Sequence, residues 1–265
     1  MIKYLAGAFI AMCAVFLWGY LSGRRLKIRE YTVTSPKATG DLNGLRIVQL
    51  SDLHCARVGR EQGALLSLVR RLSPDIIVLT GDLFDRHRPQ AQENAFDLAF
   101  ELVKLAPTFY VEGNHEKVAS ATRRREKELI DMGVRVMHNE SYDLTVGGAS
   151  LRIIGINEDA TPQQWIALVN STRFHIVLSH RPEKFADCVA ARVDLVFAGH
   201  AHGGHVRLLG IGIFASGQGI FPKYTRGIYE QRRTRMIVST GLGNTKFAVR
   251  LFNPKEIVVA TLSGK

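Results

Sequence analysis

Five short apolar runs, spaced along the chain, each stop at a turn that contains aspartate, asparagine or histidine. The runs cover residues 45–50, 75–79, 108–111, 175–178 and 194–198. Runs of this length that are rich in β-branched and aromatic residues and end at glycine or polar residues predict buried strands. Amphipathic stretches at 62–72, 90–105 and 122–132 predict helices between some of them. This alternation is typical of an α/β fold.

The turns after these runs hold side chains that bind divalent metals. The candidates are Asp52 and His54, Asp82 with Asp85, Asn114 and His115, His180, and His200 with His202. In open α/β sheets, ligands bind beyond the carboxyl ends of the strands, so we expect these turns to meet. Their oxygen and nitrogen atoms suit hard or borderline divalent ions, and two such ions can hold both the attacking and the leaving oxygen of a phosphoryl group. One Asp-x-His motif arises readily by chance, but five such turns in succession predict a two-metal site.

The composition is that of one large globular domain with an apolar appendage. The chain has 265 residues, of which 46% are hydrophobic, and a formal net charge of +11. This charge favours an anionic partner: a phosphorylated substrate, an acidic lipid or nucleic acid. Nucleic acid is the least expected, because the chain lacks the interleaved basic and aromatic residues of strand binders. Three cysteines without framework spacing argue against a disulfide-stapled domain, and no protein partner is evident.

The N-terminus has the properties of a membrane anchor. Residues 4–23 carry no charged side chain, and a helix of about 20 apolar residues is long enough to cross a bilayer. The exit Leu21-Ser22-Gly23 is a poor signal-peptide cleavage site, so we expect a single uncleaved transmembrane helix. The predicted organisation is therefore an anchor with a basic flank at 1–30 and a catalytic domain at 31–265.

The basic residues around the anchor predict its orientation. Arg24, Arg25, Lys27 and Arg29 follow the apolar stretch, whereas only Lys3 precedes it. Because cytoplasmic flanks are enriched in lysine and arginine, the large domain is expected in the cytoplasm. The same cluster would contact anionic membrane lipids. The alternative is an anchored domain on the outer side of the membrane.

The second half of the predicted catalytic domain has a different pattern of predicted elements. Short strands at 134–138, 142–146 and 151–156 suggest a meander with a hairpin turn at Gly147-Gly148. A helix is expected from Pro162, and strands at 236–239, 246–252 and 256–262. Residues 209–230 are rich in glycine and aromatic residues and form a candidate loop over the site.

The motifs together resemble the calcineurin-like metallophosphoesterase superfamily in its motif order. They are Asp52-x-His54, Gly81-Asp82-x-x-Asp85, Gly113-Asn114-His115-Glu116, His180 and Gly199-His200-x-His202. The resemblance extends from about residue 45 to the C-terminus. It implies an α/β fold, a four-layer sandwich of two mixed β-sheets flanked by helices, here preceded by the transmembrane helix. The anchor, the Ser179-His180-Arg181-Pro182-Glu183 segment, His202-Gly203-Gly204 and Phe221-Pro222-Lys223-Tyr224 resemble a membrane-associated bacterial branch. That branch includes UDP-2,3-diacylglucosamine pyrophosphatases of lipid A synthesis and related phosphodiesterases.

The resemblance also implies roles for single residues. One metal ion would take Asp52, His54 and His202, the other Asn114, His180 and His200, and Asp82 would bridge them. Manganese is the expected metal, with iron or zinc as alternatives. His115 would protonate the leaving oxygen or hold the phosphate, and Asp85 would orient a ligand imidazole. Arg181, Lys223 and Tyr224 are candidate substrate contacts.

Two departures from the family pattern stand near the motifs. Glu116 replaces the frequent aspartate and keeps a carboxylate, while His205 stands where glutamine is common and is interpreted as a polar strand residue rather than a substrate contact. His87, His138 and His175 match no ligand position and are interpreted as structural.

The expected activity is hydrolysis of a phosphodiester or pyrophosphate bond. The favoured substrate is lipid-linked, such as UDP-2,3-diacylglucosamine. One alternative is a phosphodiesterase or phosphatase that faces outward and acts on envelope or nucleotide phosphates. The other is a metal-stabilised binding protein without catalysis.

Overall fold

The computed structural model describes residues 2–117, 122–169, 172–244 and 249–264. Its helices are α1 (Ile2–Arg24), α2 (Gly63–Arg71), α3 (Glu93–Leu102), α4 (Asn114–Lys117), α5 (Thr122–Asp131), α6 (Pro162–Trp165) and α7 (Phe185–Ala190). Its first eight strands are β1 (Leu26–Thr34), β2 (Arg46–Leu50), β3 (Ile76–Thr80), β4 (Thr108–Val111), β5 (Arg135–Val136), β6 (Glu140–Val146), β7 (Ala149–Ile156) and β8 (Phe174–Ser179). The others are β9 (Leu195–Ala198), β10 (Arg207–Leu208), β11 (Ile211–Gly212), β12 (Phe214–Ala215), β13 (Gly219–Ile220), β14 (Gly227–Gln231), β15 (Thr234–Val238) and β16 (Lys255–Ser263).

Two six-stranded sheets form the centre of the molecule. Sheet A has the strand order β1-β16-β2-β3-β4-β5, and sheet B has the order β14-β15-β9-β8-β7-β6. In sheet A only the β16–β2 pair is antiparallel, and in sheet B the two edge pairs β14–β15 and β6–β7 are. Both sheets are therefore mixed. The hairpins β10–β11 and β12–β13 lie outside them.

Alternating residues of the central strands face opposite layers. Ile76 and Val78 of β3 belong to the core between the sheets, with Ile176 and Phe197 of sheet B. Ile77, the residue between them, packs in a second core with α2, α3 and α5. A third core joins the outer face of sheet B to α6 and α7. Burial on both faces explains why these strands are continuous apolar runs, and the four-layer sandwich with flanking helices is confirmed.

The basic flank of the predicted anchor includes part of a strand. β1 pairs in parallel with β16 along its whole length, from Leu26 opposite Lys255 to Thr34 opposite Ser263. The ordered domain thus includes residues 26–30, which lie before the predicted boundary at residue 31. The sequence pattern does not predict β1, because it is an edge strand and Val33 is its one fully buried residue. Its sequence therefore resembles a solvated linker.

The predicted meander is wrong in one strand. β6 and β7 form the expected hairpin about Gly147 and Gly148, but β5 pairs with β4 at the edge of sheet A. The spacing of strands along the sequence does not determine which strands pair through backbone hydrogen bonds. The predicted strand at 246–252 lies partly outside the described residues; among residues 249–252 there is no regular strand, and Leu251 alone forms an isolated bridge with Val206.

The last turns of α1 pack against the domain. Trp18 meets the Phe252 ring edge-on with 5.4 Å between centroids. The backbone N–H of Phe252 donates to the carbonyl of Gly19 at 2.9 Å. A Cβ atom at Gly19 would lie 2.6 Å from the Phe252 ring, and one at Gly23 would collide with the carbonyl oxygen of Arg250. The two glycines therefore permit close contact. α1 is long and apolar enough to cross a membrane.

Candidate metal centre

The carboxyl ends of β2, β3, β8 and β9 bring most of the candidate ligands together. Asp52 follows β2, Asp82 follows β3, His180 follows β8 and His200 follows β9. Asp52, His54, Asp82, His200 and His202 all have positive φ angles, between 45° and 66°. Such left-handed backbone is uncommon outside glycine and clusters at functional sites. The chain turns sharply at these residues, and their polar side chains are buried.

One group of buried ligand atoms comprises Asp52, His54, Asp82 and His202, all within 4.8 Å of one another. The Nε2 atoms of His54 and His202 are 3.1 Å apart. His202 Nε2 lies 3.5 Å from Asp52 Oδ1, and His54 Nε2 lies 3.6 Å from Asp82 Oδ2. Two ring nitrogens and two carboxylates thus converge on one small volume.

A second group shares Asp82. His180 Nε2 lies 3.4 Å from Asp82 Oδ2, 3.3 Å from Asn114 Oδ1 and 3.1 Å from His200 Nδ1. His180 Nδ1 lies 2.8 Å from the carbonyl oxygen of Thr80. If Nδ1 carries the donated proton, Nε2 is the nitrogen available for a ligand. Carbonyl partners of this kind commonly fix the tautomer of metal-binding histidines.

The protonation of three imidazoles suits metal binding. Burial lowers the pKa of His54 to about 4, and burial with the charges of His180 and Arg181 lowers that of His200 to about 3. Burial also brings the pKa of His202 well below its usual value. These rings are neutral at pH 7, which is the form that binds a metal ion. Facing nitrogen lone pairs 3.1 Å apart repel each other unless a cation or a proton lies between them, so the donor set fits a cation.

The carboxylates and His180 form the charged part of the centre. Burial alone would raise the pKa of Asp82, but His180 and His54 hold it well below its usual value. Burial would lower the pKa of His180, but Asp82 and Asp52 raise it to about 10. Burial raises the pKa of Asp52 to about 6. His180 therefore carries a proton that a metal ion would displace.

His115 stands beside the two groups in the cleft. Its backbone N–H donates to Asp82 Oδ1 at 2.9 Å, and its ring meets the His54 ring edge-on at 4.6 Å. Its Nδ1 lies 3.1 Å from Asp85 Oδ1. Asp85 is predicted to orient a ligand imidazole; it contacts the His115 ring, and its carboxylate also lies within 4.8 Å of the ligand atom of His54.

Glu116 joins the loops after β3 and β4. Its carboxylate accepts the backbone N–H groups of Asp82 at 3.0 Å, Gly113 at 2.8 Å and Phe84 at 2.8 Å. Burial, then the charge of Asp82, raises its pKa to about 7. The replacement of aspartate by glutamate thus keeps a carboxylate that positions Asp82 through the backbone.

A cleft of about 280 Å³ opens on this centre. It is lined by Asp82, Arg86, His87, Asn114, His115, His200, His202, His205, Phe214 and Ser216. The sequence reasoning missed Arg86, Phe214 and Ser216 and assigned His87 and His205 structural roles. His205 stacks on the His202 ring at 5.4 Å and on the Phe214 ring at 6.3 Å, and it lies in a turn rather than on a strand. Arg86 and His87 could have been predicted as cleft residues, because they directly follow Asp85 in the sequence.

The three predicted substrate contacts have different surroundings. Arg181 Nη1 lies 3.0 Å from His200 Nε2, and its Nε donates to Glu158 at 2.6 Å. Tyr224 packs edge-on against Phe185 and Tyr229, and Lys223 Nζ lies 5.0 Å from the centre of the Tyr224 ring. Arg181 therefore adjoins the centre, while Lys223 and Tyr224 are not among the residues that line the cleft.

Comparison with known proteins identifies the family. The profile of the calcineurin-like phosphoesterases matches residues 45–204. A metallophosphoesterase of Aquifex aeolicus is 29% identical over 95% of this chain and 98% of its own. The UDP-2,3-diacylglucosamine pyrophosphatase LpxG of Chlamydia muridarum is 24% identical over 92% of each chain.

The fold is also found among solved structures. The sulfate thiohydrolase SoxB of Thermus thermophilus superposes with a TM-score of 0.53 at 11% identity, over 75% of this chain and 52% of that one. This likeness concerns the fold alone. The family depends on two metal ions, and the buried groups around Asp82 offer ligand atoms for them. With its matched motifs and its converging ligand atoms, the chain belongs to the calcineurin-like phosphoesterase family and is a metal-dependent phosphoesterase.

Proposed function

We propose that the chain is a membrane-anchored hydrolase that uses two metal ions to cleave a phosphodiester or pyrophosphate bond. Asp52, His54 and His202 would hold one ion, and Asn114, His180 and His200 the other. The observation that carries the proposal is the position of Asp82, whose Oδ2 lies within 3.6 Å of His54 Nε2 and 3.4 Å of His180 Nε2. One carboxylate oxygen can therefore serve both groups.

The bound ions would supply Lewis acidity and an activated water at neutral pH. The chain's own contribution is to position the phosphate and to move a proton. Asp85 can accept the Nδ1 proton of His115 at 3.1 Å, which leaves Nε2 as the nitrogen that can give a proton to the leaving oxygen. Arg86 and His87 line the same cleft and are candidates for contacts with phosphate oxygens.

The favoured substrate is a lipid-linked nucleotide such as UDP-2,3-diacylglucosamine, cut with release of UMP. The hairpins β10–β11 and β12–β13 and the turns beside them carry exposed apolar side chains, of which Phe214 lines the cleft: Leu208, Leu209, Ile211, Phe214, Ile220 and Phe221. The first of these hairpins begins beside α1, because Arg207 donates its backbone N–H to Leu251, the neighbour of Phe252. An exposed apolar patch beside a membrane helix supports contact with lipid chains. The similarity to LpxG supports the same substrate class.

A second candidate is a phosphodiesterase or phosphatase of small envelope or nucleotide phosphates. The cleft volume of about 280 Å³ favours it, because pockets that enclose drug-sized ligands hold about 300–1,000 Å³. A lipid-linked nucleotide would have to extend beyond this cleft. The two candidates also differ in the side of the membrane on which the domain works.

The deciding experiment compares substrates on the full chain in detergent micelles with manganese. The substrates are UDP-2,3-diacylglucosamine, bis(4-nitrophenyl) phosphate and 4-nitrophenyl phosphate, with His115→Ala as the control. Release of UMP that is lost in the variant supports the lipid-linked substrate. Cleavage of the plain diester with no UMP release keeps the metal chemistry and rejects this substrate.

Metal content and orientation are tested separately. Elemental analysis should find two manganese ions per chain, and iron or zinc in their place would correct the metal. Fewer than two ions, together with intact phosphoesters of every class, would contradict the two-metal centre. We place the catalytic domain in the cytoplasm on the basis of the residues that flank α1. A reporter fused after Lys265 that is active only outside the cytoplasm should be silent.

A further inference from the structure

A second cavity lies where α1 leaves the domain. It measures about 390 Å³ and is lined by Tyr20, Gly23, Arg24, Asn244, Arg250 and Lys255. None of these residues lines the catalytic cleft. The cavity adjoins the close contact of the α1 backbone with the 250–252 segment at Gly19 and Gly23.

The charged side chains that line this cavity all have one sign. Arg24, Arg250 and Lys255 are its charged lining residues, and no acidic residue is among the six. Burial, then the charges of Arg250 and Arg24, lowers the pKa of Lys255. Like charges gathered at one cavity repel each other, so an anion in the cavity would relieve this repulsion.

Arg250, one of the lining residues, has a buried donor that makes no hydrogen bond with the described residues. Its side chain is 4% exposed. Nε donates to Asn244 Oδ1 at 2.7 Å, and Nη2 donates to the carbonyl of Gly243 at 2.5 Å. Nη1 is buried and has no hydrogen-bond partner among the described residues. A buried donor without an acceptor costs about 1–3 kcal/mol, and guanidinium groups are well suited to phosphate oxygens.

The position of the cavity indicates what could reach it. It adjoins Tyr20 and Arg24 in the last turns of the helix that is long enough to cross a membrane. Aromatic and basic residues at the end of such a helix lie at the level of the lipid headgroups. A phosphate group of the adjacent leaflet would therefore stand at the mouth of the cavity.

We propose that this cavity binds the phosphate group of an anionic phospholipid, with Arg24, Arg250 and Lys255 as its ligands. The lipid is held apart from the catalytic cleft and is not the substrate. It would fix α1 against the loop that carries Arg250, whose Nη2 lies 3.3 Å from His202 Nδ1. The proposal does not depend on which phosphoester the enzyme hydrolyses.

Native mass spectrometry of the full chain in detergent tests it. Phosphatidylglycerol and phosphatidylcholine are added separately to the wild type, to Arg24→Gln/Lys255→Gln and to Arg25→Gln/Lys27→Gln. The second pair is the matched control, because it removes two positive charges from the same region but not from the cavity lining. We expect phosphatidylglycerol to bind the wild type and the control pair, and to bind the cavity pair at least tenfold more weakly. Phosphatidylcholine should bind all three weakly.

Further measurements distinguish a bound phospholipid from a soluble phosphate compound and from diffuse charge attraction. Inorganic phosphate is titrated with the metals chelated, so that the metal centre does not compete for it. If phosphate binds with the same dependence on Arg24 and Lys255 while phosphatidylglycerol does not, the ligand is a soluble phosphate compound and the lipid assignment is overturned. If both double variants lose phosphatidylglycerol binding equally, the lipid is held by diffuse charge attraction, and the lipid assignment is again overturned. Melting temperatures and diester hydrolysis check folding, and Arg24→Gln alone serves if the cavity pair does not fold.

Discussion

Asp82 shows how much of this centre depends on a single side chain. Its Oδ2 faces His54 and His180, its Oδ1 accepts the backbone N–H of His115, and its own N–H donates to Glu116. The aspartate therefore positions the predicted proton donor as well as the predicted ligands. Its backbone is left-handed, with φ of 50°.

The roles of His115 and Asp85 are tested by measuring kcat of their variants on substrates with different leaving groups. His115→Ala should lower kcat about 10²–10⁴-fold for a diester with a poor leaving group, because the proton donor is lost. The loss should be smaller for 4-nitrophenolate, which departs with little protonation. Asp85→Asn should cost about 10–100-fold. Steady-state kinetics and metal content check this, and an equal loss of kcat for both leaving groups would show that His115 only supports the structure.

Asp194 predicts a pH dependence of stability at the far end of the strands. It accepts hydrogen bonds from Lys37 and from the backbone of His175, each at 2.9 Å. Burial would raise its pKa, but the His175 ring, 3.5 Å away, and these two bonds hold the pKa below its usual value. Ionised Asp194 therefore contributes to the free energy of unfolding above the ordinary aspartate pKa of about 4. This contribution is lost as the pH falls below that value.

Asp194→Asn should lower the free energy of unfolding by about 2 kcal/mol at pH 7, since a buried charge-assisted interaction is lost. The difference from the wild type should narrow below pH 4. Urea unfolding at several pH values measures it, with the exposed Asp97→Asn as the matched control. A difference that is constant down to pH 2 would contradict the assignment.

Among the elements, α1 and β1 change the organisation that the sequence indicated. α1 is more than a tether, because Trp18, Gly19 and Gly23 pack on the 250–252 segment. β1 continues directly from it into sheet A. The hairpins β10–β11 and β12–β13 then place apolar residues beside the cleft. Anchor, sheet and cleft are thus joined through contiguous packing.

Substitutions at glycine test the packing of α1. Gly23→Leu should lower stability by about 1–3 kcal/mol, because the new side chain meets the backbone of Arg250. Gly7→Leu is the matched control, since no atom lies within 4 Å of a Cβ at that position. Thermal unfolding and Trp18 fluorescence of the full chain in detergent report the change. Equal behaviour of the two variants would show that α1 does not pack on the domain.

At the scale of the whole molecule, the position of β1 decides where the anchor can be removed. A chain that starts at Leu26 keeps all of β1, whereas one that starts at Tyr31 loses five of its nine residues and the Arg29–Glu256 ion pair. Loss of residues 26–30 leaves Lys255–Val259 of β16 unpaired along this edge, and unpaired edges promote aggregation. We expect the first chain to be the more soluble and more stable, measured by light scattering and urea unfolding. Equal stability would mean that residues 26–30 contribute nothing to sheet A.

Most of the central fold and the candidate ligands could be predicted from the sequence because their signals are local. Strands buried on both faces have continuous apolar runs, and β2, β3, β4, β8 and β9 lie where those runs predicted. The ligand-bearing turns follow directly from the ends of these strands. The helices α2, α3 and α5 were likewise recognisable from their amphipathic period. Their predicted ends differ from the observed ones by a few residues.

What only the tertiary structure decided depends on contacts between distant residues. β1 and β5 are edge strands whose pairing carries little local signal. The contact of Asp85 with His115 and the positions of His87, His205 and Phe214 in the cleft arise where loops from different strands meet. The sequence alone determined the family, the chemistry of the ligands and the apolar helix, because each depends on residue type and spacing along one segment. The shape of the cleft and the cationic cavity required the fold, because each is formed by segments far apart in the chain.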